Sequence, residues 1–356
     1  MFFYGADMKN LSVLSKYLFL AFGLLSICGC DAIQDAILTE PPSEMDTTSL
    51  HVTMIYPSDC VGAAAYCDAF HIGVRAAAAE LGIVLTEVNG IESDPVATGM
   101  LLRDAAQNSE LVLTAGYQMG DLLARVAPEF PDVQFAIFDV VLDIPNVVSV
   151  NYKSNEGSFL VGAIAGLKSE SNKVGYIGGA DVPLLHEFEA GYIAGVHAVN
   201  PDAEVTVEYI SKDAAGFNQP ERAKKLALAQ YANGVDVIYT AAGGSGQGVL
   251  EAAQEQQKFI IWVDSNGNHL APGLVLTSMT KEIPTSVQRI IREIAEGNFM
   301  AGIRLFGVAE GDVSYAVDEH NQSLLSDDII DTVESLKAKI IAGEIVVPNT
   351  VSLPRE

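Results

Sequence analysis

From residue 50 onward, short apolar runs alternate with stretches whose apolar positions recur every three or four residues. "LHVTMIY" (50–56) predicts a strand, and "AFHIGVRAAAAELG" (69–82) predicts a helix closed by Gly82 as its C-cap. "IVLTEV" (83–88), "LVLTAG" (111–116) and "VQFAIFDV" (133–140) read as further strands, with helices at 95–107 and 120–130 between them. The alternation then starts again, with strands at 173–179, 204–210, 235–241, 258–264 and 274–279 and helices at 183–200, 220–234 and 246–257. The helix at 220–234 opens with Pro220 and closes with Gly234, as helix ends favour. Continuous Val, Ile and Leu runs between helices predict parallel sheets covered on both faces. The fold class is therefore α/β, in two similar lobes, one near 50–150 and one near 171–275. A helix at 285–297, a short strand at 314–319 and a long amphipathic helix at 326–345 follow, and these are expected to cross back to the first lobe. In domain terms, the first lobe spans 50–150, completed by segments from about 281–325; the second spans 151–280; 326–356 is a C-terminal helix and tail.

The residues before 50 have a different pattern. "MKNLSVLSKYLFLAFGLLSICGCD" begins at Met8 with Lys9 and Lys16, then an apolar run from Tyr17 to Ile27. This reads as a signal peptide ending at residue 29, with Met8 as the start of translation, because the run is too short for a permanent membrane span. Gly29 directly before Cys30 resembles a bacterial lipobox, so Cys30 is expected to carry lipid; secretory cleavage nearby or an uncleaved anchor are the alternatives. Residues 30–49, polar and carrying Pro41-Pro42, read as a flexible tether from that anchor.

The 356 residues are 49% apolar, enough for a large core in each lobe. A net charge of −26 repels phosphate backbones, and no helix-turn-helix pattern precedes the first lobe, so nucleic acid is excluded as a partner. Processing at Cys30 leaves Cys60 and Cys67. An oxidising exterior favours pairing them, which the chain-entropy model values at about 2.5 kcal/mol, against the alternative of two free buried thiols. The six histidines show no ligand spacing and the cysteines form no C-x2-C pair, so no metal site and no cofactor are expected.

In open α/β sheets, ligands bind beyond the carboxyl ends of strands, which directs attention to residues just after them. Phe70 and His71 follow the first strand, Tyr117 the third, and Asp139 lies at the end of the fourth. In the second lobe the corresponding residues are Phe217, the Gly243–Gly248 turn, Asp264 and Lys281. "YTAAGGSGQGVLEAA" (239–253) spaces Gly243 and Gly248 as a Walker A loop does, but Val249 and Leu250 replace the lysine and hydroxyl. It also lacks the third glycine of a dinucleotide fingerprint. What remains is bare main chain before a helix N-terminus, suited to a hydroxyl-rich ligand such as ribose, or else a tight packing turn. Phe70 and Phe217 are either a stacking pair, one per lobe, or core residues. Asp139 and Asp264 could each accept two hydrogen bonds from a ligand or cap helices. Lys281 is a donor to ligand or a solvated lysine.

Together, "VVSVNYKSNEGSFLVGAIAGLKS" (147–169), "VGYIGGADVPLLHEFEAGYIAGVHAVNPD" (174–202), "FNQPERAKKLALAQYANGVDVIYTAAGGSGQGVLEAA" (217–253), "WVDSNGNHLAPGLVLTSMTK" (262–281) and "KAKIIAGEIVVP" (337–348) resemble the basic membrane protein family, the purine nucleoside receptor A-like substrate-binding lipoproteins of ABC transporters. The resemblance implies a two-lobed type I periplasmic-binding-protein fold closing on a nucleoside. It implies Phe70 and Phe217 around the base, Asp139 and Tyr117 at the base edge, and Gly243, Gly244, Asp264 and Lys281 at the ribose. The family's first loop commonly reads D-x-S-F-N. Here Asp68, Ala69, Phe70 and His71 place the acid one residue nearer, lose the serine and put His71 for asparagine, which opens ligand choice and its pH response at that position. The implied protein is a monomer tethered by lipid to a cell membrane, facing periplasm or exterior, and handing its nucleoside to an ABC permease. Alternatives are a sensing co-receptor for a membrane signalling protein or a binder of another small polar solute. An enzyme is disfavoured, since no Asp cluster and no base–nucleophile pair stands near the glycines.

Overall fold

The computed structural model describes residues 49–91 and 94–350. The signal peptide, Cys30, almost all of the tether and the last residues of the tail lie outside the described residues. Two six-stranded sheets form the body. The first contains β1 (His51–Tyr56), β2 (Val84–Asn89), β3 (Leu111–Ala115), β4 (Gln134–Phe138), β5 (Val147–Tyr152) and β11 (Gly302–Phe306), in the order β2-β1-β3-β4-β5-β11. The second contains β6 (Lys173–Ala180), β7 (Glu204–Ser211), β8 (Val237–Ala241), β9 (Phe259–Trp262), β10 (Val275–Lys281) and β12 (Val313–Tyr315), in the matching order β7-β6-β8-β9-β10-β12. Within each sheet the neighbours run parallel, except that β12 is antiparallel to β10. The expected α/β architecture of two lobes with parallel sheets is the one that folds.

The strands at the centre of each sheet are buried along their length, as β3 and β8 show in every residue. That is why the sequence offers unbroken apolar runs there. Helix ends follow their local chemistry. In α1 (Ala65–Leu81), Gly82 turns left-handed at φ 66° and its N–H donates to the Ala78 carbonyl. In α2 (Pro95–Asn108), the Asp94 carboxylate accepts from the Ala97 N–H at 2.9 Å and Pro95 occupies the first turn. The remaining helices are α3 (Gly120–Val126), α4 (Ser154–Lys168), α5 (Pro183–Val199), α6 (Pro220–Ala232), α7 (Gly246–Gln256), α8 (Ile283–Ala295) and α9 (Asp327–Ile341).

α4 and α5 pack backbone to backbone. Gly162, Gly191 and Gly195 sit where a side chain would run into the backbone carbonyls of Tyr192, Asn155 and Phe159. The chain passes between the lobes three times, after β5, after β10 and between β11 and β12. Main-chain bonds tie these crossings together: Lys153 N–H to Phe306 O at 2.7 Å and Glu282 N–H to Asp312 O at 2.8 Å. Three adjacent crossings form a hinge of few residues.

The C-terminal third distributes differently from expectation. β11 joins the first sheet and α8 packs against α1, but β12, inside the 281–325 stretch expected to complete the first lobe, pairs with β10 of the second. α9 does not cross back either; it packs on α4, with Tyr315 Oη donating to Glu334 at 2.7 Å. The apolar stripe of α9 is satisfied by the nearest uncovered face, which belongs to the second lobe.

Candidate functional site

The carboxyl ends of both sheets face one cleft. Its first-lobe wall comes from the residues after β1, the start of α1, the Gly116–Gln118 turn and Asp139. The second-lobe wall comes from Leu184, Leu185 and Phe188 on α5, Phe217, the Gly243–Gly244 turn, Asp264 and Lys281.

Asp139 and Asp264 occupy corresponding positions, one past β4 and two past β9. Both hold a left-handed backbone, φ 60° and 66°, a conformation that a non-glycine residue adopts at some cost and that recurs at functional sites. Their carboxylates converge on the Lys281 ammonium, at 3.6 Å from Asp139 and 3.4 Å from Asp264. All three are buried. Burial alone would lower the Lys281 pKa, but the two carboxylates outweigh it and hold the ammonium above its ordinary range. Burial pushes the Asp264 carboxyl up; Lys281 pulls it back and Asp139 pushes it further, with a net rise. One ammonium cannot satisfy two carboxylates. Oδ1 of Asp139 and Oδ1 of Asp264 both face the ammonium at ion-pair distance and accept no hydrogen bond, so each keeps accepting capacity for a donor that enters the cleft.

The Gly243–Gly244 turn leads from β8 into α7. Gly243 has φ 54°, and an added Cβ would press on the Phe217 ring at 3.3 Å. At Gly244 an added Cβ would lie 3.0 Å from the Ala63 carbonyl of the other lobe. The glycines therefore keep main chain, not side chain, at the cleft surface where the lobes meet.

Phe217 and Tyr117 face each other across the cleft, ring centroids 6.4 Å apart and tilted by 57°. Phe70 does not join them. Its ring is 0% exposed and packs edge-on to Phe138 at 4.8 Å and Tyr66 at 5.0 Å. Tyr66, one helical turn earlier, lines the cleft instead. Residues four apart share a helix face, so Tyr66 lies at the tip beside the strand ends and Phe70 one turn deeper, in the core.

Two neighbours of Phe70 are corrected with it. His71 turns away from the cleft, Nδ1 at 2.6 Å from Glu87 Oε1, in a cluster where Arg75 and Tyr56 also donate to Glu87. Burial would raise the Glu87 pKa, but these donors outweigh it and hold the carboxyl below its usual range. Asp68 accepts the Gly62 N–H at 2.6 Å and braces the loop before α1. Neither residue lines the cleft, so the pH response attached to His71 loses its basis. Cys60 and Cys67 are bonded to each other, Cα–Cα 5.8 Å, and both line the cleft. Phe188 of α5 is a cleft residue that the sequence reading passed over: its ring carries the Lys281 ammonium at 4.8 Å from its centroid. It reads as one more apolar position of α5, so only its place at the lobe interface distinguishes it.

Residues 50–351 match the family model Bmp, described as ABC transporter substrate-binding protein PnrA-like. This chain belongs to the Bmp family. Among its relatives, the CD4+ T-cell-stimulating antigen of Listeria monocytogenes serovar 1/2a is 36% identical over 257 residues, 67% of this chain and 70% of that one. The ABC transporter nucleoside-binding protein BmpA of Lactococcus lactis subsp. cremoris is 31% identical over 262 residues, 68% of this chain and 72% of that one. Of solved structures, an ABC transporter solute-binding protein from Aeropyrum pernix K1 superimposes with a TM-score of 0.77 at 25% identity, covering 84% of this chain and 94% of that one. As a Bmp-family chain, the protein is a substrate-binding component of an ABC transporter, and the cleft between its lobes is the place where such a fold takes its solute.

Proposed function

We propose that the protein binds a nucleoside, a purine riboside first, by closing its lobes around it, and delivers it to an ABC permease from a lipid anchor at Cys30. The observation that carries this reading is the pairing, within one cleft, of aromatic walls from both lobes with a buried acceptor cluster on bare glycine main chain. Phe217 and Tyr66 line opposite lobes, and stacking a base on such a ring contributes about 1–3 kcal/mol. Asp139 and Asp264 each present a buried oxygen that pairs with Lys281 but accepts no hydrogen bond, complementary to the hydroxyls and exocyclic N–H groups of a riboside and unwelcoming to phosphate. Lys281 supplies a donor and offsets the repulsion between the carboxylates that closure brings together.

Closure follows from the placement of these groups. Asp139 belongs to the first lobe, Asp264 to the second, and Lys281 ends the strand that leads into a crossing. A ligand touching all three gains full contact only when the lobes are shut, and that differential contact is what shifts the equilibrium. The name of the Lactococcus relative adds support for a nucleoside as the solute. Mass spectrometry of small molecules released by denaturing the freshly purified protein tests the reading. A nucleoside recovered at near one per chain is expected; a sugar, amino acid or peptide in its place would contradict it.

A further inference from the structure

The cleft wall of the first lobe is closed by a covalent bond, and both of its cysteines line the cleft. The turn between Cys60 and Cys67 carries two contacts to the site. Tyr66, immediately before Cys67, is with Tyr117 one of two first-lobe aromatic rings that line the cleft. The Ala63 carbonyl is the first-lobe group that meets Gly244 of the opposite lobe.

Besides the packing of Val61, Ala64 and Tyr66 on the core, only short-range hydrogen bonds fix this turn. Ala63 and Ala64 N–H groups donate to the Cys60 carbonyl at 3.1 and 3.0 Å, and the Gly62 N–H donates to Asp68. Gly62 itself is left-handed at φ 81° with open space around it. α1 begins after Ala64, whose side chain offers no cap to the first N–H groups. The entry to α1 is therefore held by the bond between Cys60 and the first turn of the helix, at Cys67.

We propose that the Cys60–Cys67 disulfide is a positioning element of the ligand site, setting Tyr66 against the ligand and the 61–64 turn against the Gly243–Gly244 turn, so that ligand affinity depends on the bond. The inference rests on the riboside reading of the cleft. With the bond open, Val61, Gly62, Ala63 and Ala64 keep three local hydrogen bonds and the apolar contact of Val61, and the first turn of α1 frays. The Tyr66 ring then leaves its position, and closure loses its first-lobe contact at Gly244. Cys67 is buried but Cys60 is partly exposed, so a small dithiol reaches the bond. Dithiothreitol opens it by exchange: the reagent's two thiols supply two electrons, both cysteines end as thiols, and the reagent leaves as its cyclic disulfide.

The test measures calorimetric affinities at 25 °C for adenosine and guanosine in three forms: oxidised, dithiothreitol-reduced, and Cys60→Ser/Cys67→Ser. Circular dichroism establishes that each is folded. The reduced and doubly substituted forms are expected to bind at least tenfold more weakly. Equal affinity in all three, with only a lower apo melting temperature, overturns the proposal, because a bond that merely stabilises the fold moves melting and not affinity. Reduction of the folded wild type gives the answer if the double variant fails to fold. Failure of the oxidised protein to bind either of these, or any other purine or pyrimidine riboside, refutes the nucleoside reading separately. The disulfide is then judged by amide exchange without ligand. Opening the bond is expected to speed exchange through the first turn of α1 as far as Tyr66 and beyond; faster exchange confined to 60–64 overturns the proposal.

Discussion

Phe217 sits on a short turn between β7 and α6, its ring against the Gly243 turn and facing Tyr117. The ring also rests on Gly179 at the cleft end of β6, but it is half-buried, so its truncation leaves the sheet–helix core in place. Phe217→Ala is expected to weaken riboside affinity at least tenfold, about 1.4 kcal/mol, with the apo melting temperature nearly unchanged. Phe70 is the contrasting case, fully buried against Phe138. Phe70→Ala is expected to cost about 3–5 kcal/mol of folding stability in denaturant melts. Its effect on affinity comes only through Tyr66, which leans on it. A variant pair that reversed this pattern would return Phe70 to the ligand and Phe217 to the core. At Asp264 stability and function pull apart. Its carboxyl is raised in the folded state, chiefly by burial. The folded protein therefore holds this proton more tightly than the unfolded chain does. Lowering the pH from that raised value to the ordinary value near 3.9 adds stability, and raising it removes stability. Asp264→Asn lacks this contribution. It is expected to melt higher than wild type at pH 7, to lose that advantage as the pH falls through the window, and to bind ribosides poorly. Thermal melts of both proteins across the pH range check the sign.

At the scale of elements, α4 and α5 show how a helix contact can be set by absence of side chains. A methyl group at Gly195 would overlap the Phe159 carbonyl. Gly195→Ala is expected to lower stability by about 1–3 kcal/mol, read in a urea melt. The same packing explains what the sequence concealed. α4 is buried on nearly all sides, so it has no polar face and no 3.6-residue stripe to reveal it, and β5 before it went unread with it. β11 is an edge strand with Ile303 and Leu305 exposed and Arg304 between them, a pattern with no buried face to mark it. Central strands, by contrast, were legible because burial on both faces requires continuous apolar residues. Asp139, Asp264 and Lys281 were legible for the same reason: each interrupts or ends an apolar run where a sheet meets the cleft. Tyr66 was not, because "VGAAAYCD" reads as a turn. The helix starts at Ala65 under the constraint of a disulfide, and a start placed at residue 69 moves the choice of aromatic by one turn to Phe70.

On the scale of the whole molecule, two sheets of matching strand order face each other across a hinge of three crossings, and the proposed solute is what makes the shut form preferable. Closure on a ligand would bury the half-exposed Tyr66 and Phe217, and burying apolar surface gives a negative heat-capacity change. The most direct test is titration calorimetry of the purified protein with purine ribosides at several temperatures. One riboside per chain, with binding enthalpy growing more negative on warming, is the expected result. No heat with any purine or pyrimidine riboside at any temperature, from protein freed of bound solute, would contradict it.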